Sequence, residues 1–177
     1  MRIITGFLKG RKMYIPSNLK ARPTTDFAKT GLFNVLNNLV EFDGLKILDL
    51  FAGTGSISLE FVSRGAASVT AVDIEAAHCK AIQQNADTYG LKQLLVLRRD
   101  VFQFIQSSGE SYDVIFADPP FDMEQALTLP EMVMQSGLLR EGGIFVMEHG
   151  TKTQFDDYPH FLETRKYGSV CFSFFGE

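Results

Sequence analysis

The sequence predicts one α/β domain with a largely parallel sheet flanked by helices. Three observations predict it. Short apolar runs alternate with helical segments through the middle of the chain, the first run ends in Gly53-Thr54-Gly55, and the alternation stops at two consecutive strand-like stretches near the C-terminus. A chain of 177 residues that is 45% hydrophobic and 21% charged has the length and composition of a soluble domain with a sizeable core.

The elements follow in order. Residues 1–16 alternate in part, with Ile3, Ile4 and Phe7 on one side of Lys9-Gly10-Arg11-Lys12 and Met13, Tyr14 and Ile15 on the other, which reads as a hairpin with a basic tip. A polar connection runs over residues 17–23. Thr24 or Thr25 caps a helix whose Phe27, Ala28, Leu32, Phe33, Leu36 and Leu39 recur by threes and fours. Asp43-Gly44 turns into a first strand with Ile47, Leu48 and Leu50, and residues 56–64 form the next helix. A second strand over 67–72 ends at Asp73, and a helix from Glu75 stops at Gly90 after Tyr89. A third strand covers 94–97, and Asp100-Val101 opens a short helix. A fourth strand over 112–117 runs into Asp118-Pro119-Pro120-Phe121. Residues 124–137 read as a helix kinked at Pro130, residues 144–147 as a fifth strand reaching Glu148-His149, and residues 161–167 and 169–175 as a hairpin turning at Gly168.

A strand that feeds a helix through Gly-x-Gly is a ligand cradle, because the glycines let backbone approach and the helix N-terminus offers free N–H groups. A pyrophosphate fingerprint needs a third glycine where this chain has Ser58. A carboxylate at the strand end, Asp49, beside a tight turn instead suits a cationic nucleoside ligand such as S-adenosylmethionine. Asp73 lies 20 residues after Gly53, the distance at which an acid accepts from ribose hydroxyls; its plainer role is a helix cap. Asp100 can reach an adenine edge or simply cap its helix, and Val101 and Ile74 can sandwich the ring. In Asp118-Pro119-Pro120-Phe121 two donors are removed, so the loop offers the Asp118 carboxylate and the Pro119 carbonyl as acceptors beside the Phe121 ring. Acceptors next to an aromatic plate suit a flat base with an exocyclic amine. A strand-ending Pro-Pro turn with Phe121 packed inside is the bland alternative.

The net charge of −4 is segregated. Residues 1–29 hold seven Lys/Arg against Asp26 alone, a net +6, whereas the remainder holds ten basic and twenty acidic residues, a net −10. A basic arm on an acidic body fits a polyanion touched at one edge, with a solvated charge-rich hairpin as the alternative. Cys79 and Cys171 form no CxxC pair and the three histidines are scattered, so neither a disulfide framework nor a metal site is implied and a reducing cytoplasm is expected. No apolar run is long enough to cross a membrane, and the N-terminus does not read as a signal peptide.

Together these residues resemble the RsmD family of bacterial 16S rRNA guanine-N2 methyltransferases. The resemblance covers nearly the whole chain and rests on Arg2-Ile3-Ile4-x-Gly6, Lys9-Gly10-Arg11-Lys12, Arg22-Pro23-Thr24-Thr25-Asp26, Leu32-Phe33-Asn34, Asp49-Leu50-Phe51-Ala52-Gly53-Thr54-Gly55 and Asp118-Pro119-Pro120-Phe121. It departs at Thr30, where the family usually carries glutamate. The resemblance implies a class I S-adenosylmethionine-dependent methyltransferase fold, Rossmann-like, with seven strands in the order 3-2-1-4-5-7-6. It implies a small N-terminal hairpin arm over residues 1–23 and a methyltransferase domain over 24–177. The implied catalytic residues are Asp118, Pro119 and Phe121. The cofactor set is Asp49, Phe51, Gly53, Gly55, Asp73, Ile74, Asp100, Val101 and Asp118. Arg2, Lys9, Arg11, Lys12, Arg22 and Phe121 would meet RNA. The expected partner is 16S rRNA in the small ribosomal subunit or its assembly intermediate, met by a cytoplasmic monomer. A DNA adenine-N6 methyltransferase, a small-molecule methyltransferase and a non-catalytic RNA-binding or ribosome-assembly module are the rival readings; no separate target-recognition domain, the basic arm and the complete loops weigh against them in turn.

Overall fold

The computed structural model describes residues 1–17, 19 and 24–176. Its elements are α1 (Asp26–Leu39), β1 (Lys46–Leu50), α2 (Ser56–Ser63), β2 (Ser68–Asp73), α3 (Ala76–Tyr89), β3 (Leu94–Arg98), α4 (Val101–Ser107), β4 (Tyr112–Ala117), a 3₁₀ turn (Glu124–Thr128), α5 (Leu129–Gln135), β5 (Leu139–Gly150), β6 (Phe161–Tyr167) and β7 (Val170–Gly176). The sheet order is β3-β2-β1-β4-β5-β7-β6, as the resemblance implies. Strands β1 to β5 pair in parallel, and β7 runs antiparallel between β5 and β6. The chain leaves β1 towards β2 on one side and later returns to β4 on the other. That reversal opens a crevice at the carboxyl ends of β1 and β4.

Strand β1 is buried along all but its first residue, as expected where both faces of a parallel sheet are covered. Its side chains alternate between two cores. Ile47 joins Leu32, Phe33, Leu36, Phe61 and Ile82 on the face covered by α1 to α3. Leu48 and Leu50 join Phe104, Ile105, Leu129, Val133 and Phe155 on the other. Asp49 falls between them on the α2 side, its carboxylate accepting from Ser58 Oγ.

Three differences from the sequence expectations have physical reasons. Pro130 does not kink a helix: the segment begins as a 3₁₀ turn and Pro130 lies in the first turn of α5, where a missing N–H leaves no bond broken. Strand β5 has 12 residues, well beyond the apolar stretch, because Leu139 pairs with Tyr112 ahead of an irregularity in the β4 register and the polar end Glu148, His149 and Gly150 pairs with β7. The third concerns charge. Lys29, counted above with the basic arm, is 0% exposed. Its ammonium donates to Arg2 O and Ser56 Oγ, both at 3.0 Å, and lies 3.4 Å from a Glu60 carboxylate oxygen. Burial pushes its pKa down, and the Glu60 charge opposes that shift.

Glu60 is also 0% exposed, and it gathers the N-terminal segment. Its two oxygens accept from the backbone N–H groups of Ile4 and Thr5, each at 2.9 Å, and from the Arg64 guanidinium at 3.0 Å. Arg64 in turn lies 4.2 Å over the Phe33 ring. Residues 1–13 form a loop closed by one antiparallel bridge, Arg2 with Lys12, and Ile3, Leu8 and Met13 are buried beneath it. Gly6 at φ +86° lies hard against α2, where an added Cβ would stand 1.8 Å from Ser63 O. Tyr14 and Asn85 exchange two hydrogen bonds, at 2.7 and 2.8 Å, which tie the end of this segment to α3.

Candidate active site

A cleft of about 1280 Å³ opens at the carboxyl ends of β1, β2 and β4. That exceeds the ~300–1,000 Å³ of a typical single-ligand site, which is the space two ligands need.

At one end stands the glycine turn. Phe51 has φ 60°, a left-handed backbone unusual for an aromatic residue, and it swings the chain out of the strand. Its ring is braced edge-on by Phe102, with centroids 6.2 Å apart, and both residues line the cleft. Gly53 (φ 54°) lines the cleft as well. Its N–H donates to Asp73 Oδ2 at 2.8 Å. Asp73 Oδ1 accepts from Glu75 N at 2.8 Å and faces His78 Nδ1 at 3.1 Å. Asp73 therefore fastens the ends of β1 and β2 to each other while lining the cleft; the N-cap of α3 is Glu75, and Asp73 holds that residue in place without capping the helix itself. A carboxylate has about four acceptor sites, which leaves room for ribose hydroxyls. Gly55 differs from the sequence expectation. It is the left-handed N-cap of α2, and its missing Cβ faces Ile82, whose Cγ1 would be 2.7 Å away. It shapes the turn by letting α3 approach, and the residues on the cleft wall are its neighbours Gly53, Thr54 and Ser56.

Asp49 is 1% exposed and also reaches the cleft. Burial raises its pKa to about 7; the Ser58 hydrogen bonds oppose the rise, and the Asp73 charge adds to it. The serine that breaks the pyrophosphate fingerprint thus serves the carboxylate that replaces it. The sign of the pH effect follows. A carboxyl with a raised folded-state value binds more protons folded than unfolded, so stability without ligand falls as pH rises from about 4 towards 7. A cationic ligand prefers the ionised form, so ligand stabilisation grows over the same window. Thermal melts with and without S-adenosylmethionine from about pH 5 to 8 are expected to diverge as pH rises, by up to about 1.4 kcal/mol per pH unit below that value. In Asp49→Asn the two curves should run parallel; parallel curves in the wild type would remove Asp49 from the cofactor side.

Ile74 is 56% exposed and Val101 3% exposed, and the cleft brings both to one wall with Asp100. Asp100 Oδ1 accepts from Gln103 N at 2.9 Å, so the helix-cap role is filled.

The other end is built by Asp118-Pro119-Pro120-Phe121. Asp118 N–H donates to Leu50 O at 3.2 Å, which locks the loop to β1. A further bond from Met123 N to Pro120 O closes its turn. Phe121 is 48% exposed, so the packed-inside alternative is not what the structure has. Its ring lies over Gly150, where an added Cβ would stand 3.3 Å from Cδ2. Next to Gly150 a polar chain leads from the buried His149 and Ser173 out to the exposed Thr164. The Ser173 hydroxyl lies 2.7 Å from both Thr164 Oγ1 and His149 Nε2, and His149 Nδ1 lies 2.9 Å from Gly150 O. A carbonyl only accepts, so Nδ1 carries the proton, Nε2 accepts from Ser173, and Thr164 donates to Ser173. Burial lowers the His149 pKa, which keeps this neutral arrangement.

Sequence reasoning missed several residues here. Glu148, 4% exposed, lines the cleft at the end of β5 and accepts from Thr24 Oγ1 at 3.1 Å. Its signal was its position as an acid at a strand end, the same signal that singled out Asp118. Phe27 and the Tyr167–Val170 turn also line the cleft, and no short-range pattern marks them. Thr30, the departure from the family pattern, donates to Asp26 O at 2.7 Å and lies exposed on α1.

Lys9, Arg11 and Lys12 do not line the cleft. They are exposed on a loop that reaches both ends of α2: Phe7 and Leu8 donate to Ser63 at its far end, and Lys12 bridges Arg2, whose carbonyl shares the Lys29 ammonium with Ser56 at the near end. Arg2, with a 70% exposed side chain, is 3.7 Å from Asp26. Arg22 lies outside the described residues. Among the described residues no helix is long and apolar enough to cross a membrane.

Comparison with known proteins adds the following. The family described as "Conserved hypothetical protein 95" matches residues 1–176. The chain is 32% identical over 158 residues to the Bacillus subtilis protein named "Putative rRNA methyltransferase YlbH", covering 87% of this chain and 85% of that one. It is 31% identical over 151 residues to the Escherichia coli "Ribosomal RNA small subunit methyltransferase D", covering 84% and 74%. The solved structure of the Thermus thermophilus hypothetical protein TTHA0928 superposes with a TM-score of 0.87 at 27% identity, over 100% of this chain and 99% of the other.

Proposed function

The chain belongs to the conserved hypothetical protein 95 family and its relatives carry the names of rRNA methyltransferases, one of them as putative; from that premise we propose that it moves a methyl group from S-adenosylmethionine to the exocyclic N2 amine of a guanine in 16S rRNA. The observation that carries this reading is the sharing of one cleft by the glycine turn and the Asp-Pro-Pro-Phe loop, held together by the Asp118–Leu50 backbone bond.

The chain's own residues fit the cofactor. Asp73 has acceptor capacity for ribose hydroxyls, Gly53 turns the backbone along the cleft wall at φ 54°, and the buried Asp49 suits a cation. Ile74 and Val101 offer apolar faces for adenine, with Asp100 beside them. When bound, the cofactor supplies an electrophilic methyl on a sulfonium. Phe121 stacks on the guanine. The Asp118 carboxylate and the Pro119 carbonyl accept the two N–H groups of the amine. That draws its lone pair out of conjugation with the ring and aims it along the line of attack. Positive charge grows on the nitrogen as the N–C bond forms; the Asp118 carboxylate stabilises it, accepts one N–H proton and passes it to solvent, which restores the carboxylate. The electron pair of the broken S–C bond leaves on the cofactor's sulfur, so no residue of this chain has to form a covalent intermediate. The His149–Ser173–Thr164 chain fixes the Gly150 backbone against which Phe121 rests.

In this reading residues 1–23 act as a basic arm on a methyltransferase domain of residues 24–177, and the protein works in the cytoplasm as a monomer on small-subunit RNA or an assembly intermediate. Lys9, Arg11 and Lys12 supply attraction that the acidic remainder cannot. They do not line the cleft, so in this reading they meet phosphates flanking the target nucleotide. Neutralising all three is expected to flatten the salt dependence of RNA binding by up to about 0.7 slope units per lost single-strand contact. Affinity against salt concentration checks this, with cofactor binding as control; parallel plots for wild type and variant would detach the arm from RNA.

The function itself is tested with labelled S-adenosylmethionine offered to 30S subunits, naked 16S rRNA and DNA, followed by digestion to nucleosides. N2-methylguanosine from rRNA is expected. Label in DNA or in no nucleic acid at all would overturn the reading.

A further inference from the structure

We propose that Phe27, held in place by Tyr167, is a stacking platform for a second nucleobase of the RNA, a neighbour of the one seated on Phe121; this rests on the rRNA reading above. Phe27 lies in the first turn of α1 and is 67% exposed, yet its ring is braced on one side. The edge of Tyr167 meets it with centroids 5.8 Å apart and planes at 76°. Tyr167 is anchored from behind by the buried Phe172, at 5.9 Å.

Gly31 explains how this pair is assembled. It follows Phe27 by four residues and so shares its helix face. A Cβ there would stand 2.1 Å from Tyr167 Cε1, so only a glycine lets Tyr167 lie across the helix. A glycine inside a helix is unfavourable, and here the surrounding structure uses it to set one aromatic ring against another at the rim of a cleft. The turn after β6, with Gly168 at φ +66°, lines the same rim.

A braced, solvent-facing ring on a cleft wall is a platform for another π face. Every nucleobase has one, and a strand whose target base is drawn into a pocket exposes the bases on either side of it. Phe121 and Phe27 line one cleft but stand on different elements: the β4 loop and the start of α1. The cleft is larger than a cofactor alone fills. Two rings on separate walls suit two bases of one strand.

The test is methyl transfer to 16S rRNA by wild type, Phe27→Ala and Phe27→Trp. The methylated guanine is mapped first, and transcripts with an abasic nucleotide on either side of it are then compared. Phe27→Ala is expected to lower kcat/KM roughly 5- to 100-fold, the range of one lost base–aromatic stack. Affinity for S-adenosylmethionine should be unchanged, and Phe27→Trp should restore transfer. On the transcript lacking the stacked neighbour, wild type and Phe27→Ala should coincide. A Phe27→Ala enzyme as active as wild type, or a defect equal on every transcript, overturns this inference alone. A wild type that methylates no RNA overturns the rRNA reading and this inference with it.

Discussion

Asp118→Ala is expected to lower kcat by about 10²–10³, the range seen when a preorganised partner of transition-state charge is removed. The residue stands directly after β4, and its backbone is tied to Leu50 O at 3.2 Å. The carboxylate is thus placed by the two strands that flank the crevice, and orientation is most of what this reaction asks of the protein. The cofactor contacts assigned to Asp73, Gly53 and Ile74 lie at the end of β2 and just beyond β1 and β2, and do not depend on its side chain. Cofactor affinity should therefore stay near wild type while turnover collapses. Calorimetry with S-adenosylmethionine beside a single-turnover methylation assay separates the two. A variant retaining more than about a tenth of wild-type turnover would remove Asp118 from the reacting centre.

Glu60→Ala is expected to cost about 3–5 kcal/mol of folding stability, the toll of removing one partner of a buried ion pair. Lys29 would keep its ammonium in a site with 0% exposure, and Arg64, whose side chain is 8% exposed, would lose its carboxylate too. The backbone N–H groups of Ile4 and Thr5 would lose their acceptors in the same step. Domains of this kind are stable by only about 5–15 kcal/mol, so much of the total is at stake. The melting temperature should fall by roughly 6–20 °C. Chemical and thermal denaturation measure this. A loss under about 1 kcal/mol would show that water reaches the network and screens it. Replacing the pair with apolar residues, Lys29→Met with Glu60→Leu, should recover part of the loss, because the penalty comes from stranded charge.

Neither the location nor the weight of that network is visible in the chain. Lys29 reads as one more cation of a basic N-terminal stretch, and Glu60 as one acid on a helix. They become a pair only because α1 packs beside α2 and the first residues fold back over both. Phe27 and Tyr167 are 140 residues apart and meet for a similar reason: Gly31 lets a distant strand cross the helix.

What the sequence determined alone was local or periodic. The apolar runs over residues 47–50, 69–72 and 114–117 specify buried strands, because backbone pairing and burial on both faces admit little else. The Gly53-Thr54-Gly55 turn and the Asp118-Pro119-Pro120-Phe121 loop are legible as turns because glycine and proline act on their own backbone. Asp49, Asp73 and Asp118 were legible as acids at strand ends, the positions where a doubly wound sheet holds its ligand. Only the tertiary structure decided how the charges divide between water and core, which glycine faces the cleft and which faces Ile82, and where the basic loop lies relative to the cleft. Those outcomes depend on desolvation and on contacts between residues far apart in the chain, and no short-range pattern encodes them.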